Sequence, residues 1–222
     1  EHGNLTYEHE GSPLGALDQA YAAHNRGGIV IAQVKRVVKA GVLDPKIVRV
    51  PGILVDYVVI DPDQMQTTMT PYDPALSGEK IENPSDVEPL EYSLETLIAR
   101  RAARELSNGW TVNLGFGISA AVPRALAETN PDSGVSWVIE QGAVGGVPLT
   151  GFAFGCAMNP DAIMQSVDQF TLLQGGGFNA AMLSFLEVDQ FGNVNVSDLP
   201  GRSHVTAGVG GFADITSSAP TI

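Results

Sequence analysis

The stretch from Trp137 to Pro148 constrains the fold more than any other part of the chain. It begins as an apolar run of strand type that ends at a single carboxylate, Glu140, and it continues as a glycine-rich segment, Gln141 to Gly146. In an open α/β sheet, ligands bind just beyond the carboxyl ends of the strands. The stretch therefore predicts a strand that delivers an acid to such an edge, although a strand that ends in a solvated glutamate fits the same residues.

Helical and strand patterns alternate along the rest of the chain. Helical stripes follow Ser12 and Ser93, each of which is a favourable N-cap residue. Strand patterns are predicted at 29–34, 47–50, 54–60, 110–114, 135–140 and 169–173, and a hairpin at 186–196. The alternation predicts an α/β fold with a mostly parallel sheet and helices on both of its faces.

Residues 61–91 differ in composition from the segments on either side. They contain five prolines, several acids and no periodicity, which is typical of a linker. We therefore expect residues 1–60 to be the end of a first α/β unit that is too small to bury its own sheet, and residues 92–222 to be a second unit. An apolar strand pattern is starting where the sequence stops, so we expect this second unit to be truncated at its C-terminus.

Composition excludes several classes of function. The net charge is −13, from 12 Lys and Arg against 25 Asp and Glu, and no basic run predicts a nucleic-acid partner. No apolar run reaches the ~20 residues of a membrane span. The single cysteine, Cys156, is predicted to be buried and cannot form an internal disulfide, which fits a cytoplasmic location. The histidines lack metal-ligand spacing, so no metal site is expected, and among them only His204 lies close to a glycine cluster, where it is a minor candidate for a ligand contact.

Four glycine clusters follow predicted strands, and glycine lets backbone N–H groups face a ligand without a side chain in the way. The clusters are Gly115 and Gly117; Gly142, Gly145 and Gly146; Gly175 to Gly177; and Gly208, Gly210 and Gly211. The first cluster, with Ala120 and with Glu140 about 20 residues on, also fits a dinucleotide loop whose acid binds a ribose. An NAD(P)-dependent oxidoreductase is therefore one alternative, and a non-catalytic acyl-CoA-binding domain is another.

A lone ionised carboxylate can act as a nucleophile. An unperturbed glutamate is almost fully ionised at pH 7, so Glu140 could attack an acyl carbonyl and form an anhydride. Backbone N–H groups of glycine loops could then stabilise the oxyanion, each donor contributing roughly 10²–10³ in rate.

Seven segments, in this order, resemble the class I coenzyme A transferases of the acetate/propionate, short-chain acyl-CoA:acetate or 3-oxoacid type. They are His24–Val34, Pro51–Asp56, Ile98–Ala103, Val112–Ile118, Glu140–Gly142 with Gly145–Pro148, Gly192–Ser197 and Gly208–Phe212. Each segment is weakly specific, but together they span nearly the whole chain.

The resemblance implies a protein built from two related halves, of which this sequence holds the end of the first half, the linker and most of the second. It implies that Glu140 becomes a glutamyl-CoA thioester, and that the glycines at 115, 117, 145, 146, 208, 210 and 211 lie near the oxyanion and CoA. CoA is then a substrate, no cofactor is permanently bound, and small carboxylic acids are the other partners. A homo-oligomer is expected, in which the missing first half completes the active site.

Overall fold

The computed structural model describes residues 2–83, 89–199, 201–202 and 208–222, so His204 lies outside the described residues. Within these ranges the chain forms five α-helices: α1 (Ala16–Asn25), α2 (Leu94–Ala103), α3 (Val122–Thr129), α4 (Ser166–Gln174) and α5 (Phe212–Ser218). The strands in the same ranges are β1 (Leu5–Thr6), β2 (Ile31–Val34), β3 (Val48–Val50), β4 (Tyr57–Ile60), β5 (Thr111–Leu114), β6 (Ser136–Val138), β7 (Ala143–Val144), β8 (Val147–Pro148), β9 (Ala157–Met158), β10 (Ala162–Ile163), β11 (Ala180–Met182), β12 (Glu187–Val188) and β13 (Val194–Asn195).

Five of these strands form the central sheet, in the order β10-β7-β6-β5-β11. Strand β5 pairs in parallel with both β6 and β11, whereas the β6–β7 and β7–β10 pairs are antiparallel. The predicted α/β class is confirmed, and the parallel part, β6-β5-β11, forms one side of a mixed sheet. The sheet is mixed because the glycine-rich segment after Glu140 turns the chain straight back, which leaves no room for a crossover helix.

Helices cover both faces of this sheet, as predicted. On one face, Val112, Leu114 and Trp137 belong to a buried cluster with residues of α2 and α3. On the other face, Val138 and Ala181 belong to a second cluster with residues of α4 and α5. Alternate residues of a strand point to opposite faces, so Asn113, between Val112 and Leu114, points to the face that α4 and α5 cover.

The predicted strand at 169–173 is wrong, because these residues lie inside helix α4. Gln169 and Leu173 are four residues apart, both are fully buried, and the helix places them on one face. A short apolar run is compatible with either a buried strand or a buried helix, and its periodicity alone does not decide. The predicted hairpin is confirmed by the antiparallel pair β12–β13.

The first sixty residues contain two small sheets of two strands each, β1–β3 and β2–β4. Strands β2 and β4 pair in parallel with Ile31 opposite Tyr57. Their residues have the apolar character of a buried sheet, but Ile31 is 65% exposed, Tyr57 60% and Ile60 57%. A cavity of about 1470 Å³ lies against this sheet and extends to Ser12, Pro13 and Leu14.

Residues 61–83 of the predicted linker pack against the chain around Cys156. Residues 61–83 form no α-helix and no strand beyond an isolated bridge between Thr67 and Thr70. Ala75 and Leu76 are nevertheless buried, in a cluster with Cys156 and Met158. In the described part of the chain, no helix is long and apolar enough to cross a membrane.

Candidate active site

Glu140 lies in a tight turn that joins β6 to β7. The backbone N–H of Gly142 donates to the carbonyl of Ile139 (2.9 Å), and the N–H of Ile139 donates to the carbonyl of Ala143 (3.0 Å). Glu140 and Gln141 are therefore the two residues at the tip of the turn. The turn follows directly on the carboxyl end of β6, where the sequence predicted the acid.

The surroundings of the Glu140 carboxylate favour its neutral form. Glu140 is partly buried, and its Oε2 accepts a hydrogen bond from Asn113 Nδ2 at 3.2 Å. Burial raises the pKa of the carboxyl above its ordinary value, and hydrogen bonds from its own backbone N–H and from Asn113 offset only part of the rise. A smaller fraction of Glu140 is therefore ionised at a given pH than of a solvated glutamate, and the anion that does form is poorly hydrated.

Asn113 is the functional residue that the sequence analysis did not single out. It is fully buried in β5, directly opposite Val138 of β6, and its Nδ2 also donates to the Val138 carbonyl at 3.3 Å. Its Oδ1 is buried and has no hydrogen-bond partner. The signal in the sequence is a polar residue within an otherwise apolar strand, because a buried amide requires partners that an apolar residue does not.

Contacts from two other parts of the chain, the segment before α1 and helix α4, fix the turn. The N–H of Leu14 and the hydroxyl of Ser12 both donate to the carbonyl of Gln141, at 3.1 and 2.9 Å. From helix α4, Nε2 of the fully buried Gln169 donates to the carbonyl of Gly142 at 3.1 Å. The candidate nucleophile thus stands on a backbone that is held by three hydrogen bonds from two segments, which is what a preorganised site requires.

Gly115 and Gly117 flank the tip of the turn that follows β5. Gly115 has no free donor, because its N–H is bonded to the carbonyl of Met182 at 2.8 Å. Gly117 adopts a φ of +100°, and a Cβ added there would lie 2.9 Å from the Ser184 hydroxyl. The structure places both glycines beside the strand that carries Asn113, and it accounts for Gly115 by close packing against the chain after β11.

Gly145 and Gly146 have left-handed φ angles of +70° and +67°. The N–H of Gly145 donates to the carbonyl of Trp137 at 2.7 Å, so it is not available to a ligand. A Cβ on Gly146 would lie 2.4 Å from the backbone oxygen of Met158. Both positions require glycine because the chain turns back there with positive φ angles and packs closely against residues 158–161.

The last cluster contains one glycine that packs against a neighbouring helix, Gly211, and two that do not, Gly208 and Gly210. Gly211 precedes α5, and a Cβ on it would lie 2.7 Å from the ring of Phe170. A Cβ on Gly208 or Gly210 would meet no atom within 4 Å. Phe170 follows Gln169, which holds the Glu140 turn, so helix α4 connects this cluster to the site.

Other chemistry finds less support in the described residues. No group of three or more His, Cys, Asp or Glu residues there could hold a metal ion. The prediction that Cys156 is buried is confirmed, and burial raises the pKa of its thiol to about 11, with a smaller effect from Glu10. A thiol with this pKa is a poor nucleophile near neutral pH.

Comparisons with known proteins agree on one family. The coenzyme A transferase family model matches residues 1–61. Over 99% of its length, the chain is 40% identical to acetate CoA-transferase YdiF of Escherichia coli (strain K12), of which it covers 41%. Over its whole length it is 39% identical to caffeate CoA-transferase of Acetobacterium woodii, of which it covers 43%.

Solved structures give the same result. The apoenzyme of the acyl-CoA transferase YdiF from Escherichia coli O157:H7 and its thioester complex with CoA match 98% of this chain at 38% identity, with TM-scores of 0.82 and 0.81. The match covers 40% of the apoenzyme chain and 39% of the chain in the complex. The chain thus spans about two fifths of the length of the relatives that it matches.

Proposed function

We propose that this chain, which belongs to the class I coenzyme A transferase family, supplies the nucleophile that transfers CoA between a short-chain acyl-CoA and a free carboxylic acid. The observation that carries the proposal is the carboxylate of Glu140, which is partly buried on a fixed turn at the carboxyl edge of the sheet and bonded to the buried amide of Asn113. This carboxylate has a positioned partner and a backbone held by hydrogen bonds from two other segments, which distinguishes it from a solvated acid at the end of a strand.

The proposed reaction proceeds by carboxylate and thiolate exchange. The Glu140 carboxylate attacks the carbonyl carbon of the acyl-CoA, and the C–S bond breaks. CoA departs as the thiolate, and the acyl group stays on Glu140 as a mixed anhydride. The thiolate then attacks the glutamyl carbonyl, which frees the first carboxylic acid as its anion and leaves a glutamyl-CoA thioester. A second carboxylate repeats the steps in reverse. Protons and electrons balance without a metal or redox cofactor, so CoA enters only as part of a substrate.

Two different carbonyl carbons are attacked in this sequence, so negative charge develops at two places. When the glutamyl carbonyl is attacked, charge develops on the Glu140 oxygen that Asn113 Nδ2 already contacts at 3.2 Å. For the substrate carbonyl and for CoA we propose Gly208 and Gly210, where an added Cβ would meet no atom within 4 Å, and Gly117, where it would meet only the side chain of Ser184 in the loop after β11. We propose packing roles for Gly115, Gly145, Gly146 and Gly211 instead.

The exposed sheet of β2 and β4 supports a further part of the proposal. In the full-length protein, the rest of the first half would cover these apolar strands and complete the site, and the whole would act as a homo-oligomer. The relatives act, by their names, on acetate and on caffeate, which makes both acids candidates here. A cytoplasmic location stays a prediction.

The proposal is tested by trapping the covalent intermediate. The full-length protein is incubated with acetyl-CoA and then with borohydride, which reduces a glutamyl thioester to the alcohol, and the modified peptide is mapped by mass spectrometry. We expect modification at Glu140, loss of transfer in Glu140→Gln, and normal transfer in the control Glu187→Gln, which changes an exposed glutamate of the β12–β13 hairpin. Transfer that continues while Glu140 stays unmodified would refute the mechanism.

Binding measurements on the same full-length protein distinguish the transferase from the two alternative functions. Calorimetric binding of NAD(P) in the absence of acyl-CoA binding would favour the oxidoreductase, in which Glu140 binds a ribose. Binding of acyl-CoA without acid-for-acid exchange would favour the non-catalytic binding domain.

A further inference from the structure

Gln169 places a fully buried amide in helix α4, one turn before Leu173, which is equally buried and apolar. Its Nε2 donates to two consecutive carbonyls of the chain that returns from the Glu140 turn, those of Gly142 at 3.1 Å and Ala143 at 3.4 Å. Its Oε1 is buried and has no hydrogen-bond partner among the described residues. A buried acceptor without a donor lowers stability, so core packing alone would favour an apolar residue at this position.

The two carbonyls do not depend on Gln169 for a partner. The N–H of Met164 donates to the Gly142 carbonyl at 2.9 Å, and the N–H of Ile139 donates to the Ala143 carbonyl at 3.0 Å. Replacement of the amide by an apolar side chain would therefore leave both carbonyls bonded, and it would remove the unpaired Oε1. The amide is thus a further constraint on a turn that backbone hydrogen bonds already close.

This constraint acts on the residues that place the carboxylate. Gly142 is the second residue after Glu140, and its N–H closes the turn on the carbonyl of Ile139, the residue before Glu140. A shift of the Gly142 peptide therefore moves the tip of the turn, and with it the carboxylate relative to Asn113 Nδ2, which lies 3.2 Å away. Because Asn113 belongs to β5 and Gln169 to α4, the sheet and the helix together determine where the carboxylate lies.

The next residue of the helix contacts the other proposed part of the site. The Phe170 ring packs so closely on Gly211 that an added Cβ would lie 2.7 Å from the ring. Gly208 and Gly210, which we propose for the substrate carbonyl and CoA, precede Gly211 by three residues and by one. Through the neighbouring residues Gln169 and Phe170, helix α4 therefore contacts both the turn that carries the proposed nucleophile and the stretch that carries the proposed backbone donors.

We infer that Gln169 is a positioning residue, and that through its amide helix α4 holds the Glu140 carboxylate in the position relative to residues 208–211 that attack on the acyl-CoA requires. The inference rests on the proposed function, because both parts that the helix connects belong to the proposed site. A misplacement of about 1 Å at a reacting group costs about a hundredfold in rate. A further anchor on the turn therefore has a use in catalysis that it lacks in folding.

The test separates catalysis from stability in the full-length enzyme. Gln169→Met and Gln169→Leu keep a side chain of similar volume and remove the amide. The control Gln174→Met removes an exposed amide of the same helix, which bonds the Asp214 carboxylate at 2.8 Å. We measure Tm, and we measure kcat and KM for acetyl-CoA across a range of pH with propionate as the acceptor.

We expect both substitutions of Gln169 to lower kcat about tenfold, with KM within about twofold and Tm within about 3 °C of the wild type. The acid limb of the pH profile should stay at the same pH, because Gln169 bonds backbone carbonyls and not the carboxylate. The control should match the wild type in kcat and in KM.

Two results would overturn the inference. Folded variants with the kcat of the wild type would show that the amide does not position the nucleophile, and a large fall in Tm or a failure of both variants to fold would show that it supports the structure. The borohydride trap with acetyl-CoA separates this failure from failure of the proposed function. If the wild type forms the Glu140 adduct and Gln169→Met forms it at the same rate, only the positioning role is wrong; if the wild type forms no adduct, the proposed function is wrong as well.

Discussion

Removal of the Asn113 amide should move the pH dependence of catalysis toward alkaline pH. In the proposed mechanism the nucleophile is the ionised form of Glu140, so kcat/KM should fall as the pH drops through the pKa of this carboxyl. Burial raises that pKa, and the hydrogen bond from Asn113 Nδ2 lowers it. Asn113→Ala removes the lowering contribution and keeps the burial. The pKa of Glu140 must therefore rise further, and the acid limb of the profile must move to higher pH.

The distance sets the size of the effect. A hydrogen bond to a charged group contributes about 1.5–3 kcal/mol. The Asn113–Glu140 bond is 3.2 Å long, at the upper end of the range for N–H···O, so we take the lower value of about 1.5 kcal/mol. This corresponds to about tenfold in kcat/KM at a pH on the acid limb. On the alkaline side Glu140 is ionised in both proteins, so the difference should narrow there.

The assay is a profile of kcat/KM against pH for the full-length enzyme, because kcat/KM reports ionisations of the free enzyme. The matched control is Asn179→Ala, which removes an amide that bonds the Thr111 N–H at the other end of β5 (2.9 Å), away from the carboxylate. An acid limb at the same pH in Asn113→Ala and in the wild type would refute the reasoning. A loss that is uniform at every pH would show that Asn113 acts without changing the pKa of Glu140.

The remaining predictions concern stability and reactivity. Glu140→Gln should raise Tm at pH 7.5, because the pKa of Glu140 is raised in the folded protein and its ionisation therefore lowers stability as the pH rises through this pKa. The difference in Tm should vanish below about pH 3, where the carboxyl is neutral in the folded and in the unfolded protein. A difference that persists there would contradict this origin. Gly146→Ala should lower the free energy of unfolding by ~1–3 kcal/mol more than Gly176→Ala in urea titrations, because the two sites have similar φ angles but only a Cβ at Gly146 meets backbone, and equal losses would show that φ alone matters. Cys156, whose thiol pKa is about 11, should resist iodoacetamide at pH 8 in the native protein and react once the protein is denatured, and rapid native alkylation would show that the residue is accessible.

The sequence was informative wherever a pattern depends on neighbouring residues alone. The strand that carries Asn113, the hairpin at 186–196 and the strand that ends before Glu140 each show a short apolar or alternating run that is bounded by turn residues. The α/β class follows from their alternation with helical stripes. The resemblance to coenzyme A transferases then indicated Glu140 as the nucleophile that we propose. The residue pattern alone left open whether this acid is solvated or catalytic.

The functions of the glycines could not be read from the sequence, because a glycine that contacts a ligand and one that contacts a neighbouring backbone look the same. Gly145 and Gly146 were expected at a ligand, whereas in the structure they lie against the segment that ends at Asp161. The distinction depends on where the chain returns after the turn, which is a tertiary feature. Helix α4 was missed for a related reason, since only its packing against the sheet reveals that Gln169 and Leu173 share a buried face.

The arrangement around Glu140 reconciles two opposing requirements. A nucleophilic carboxylate must be ionised, and it reacts best when it is poorly hydrated, yet the burial that removes water also raises the pKa and reduces the ionised fraction. Besides the Glu140 backbone N–H, one neutral side chain, the buried Asn113 amide, stabilises the anion in place of water and keeps the carboxylate in one orientation. A cation in that position would ionise Glu140 more completely, but it would also hold the negative charge that must move to the substrate during attack. The hydrogen bond of 3.2 Å from the Asn113 amide offsets part of the cost of burial, and it leaves the negative charge of Glu140 free to move to the substrate.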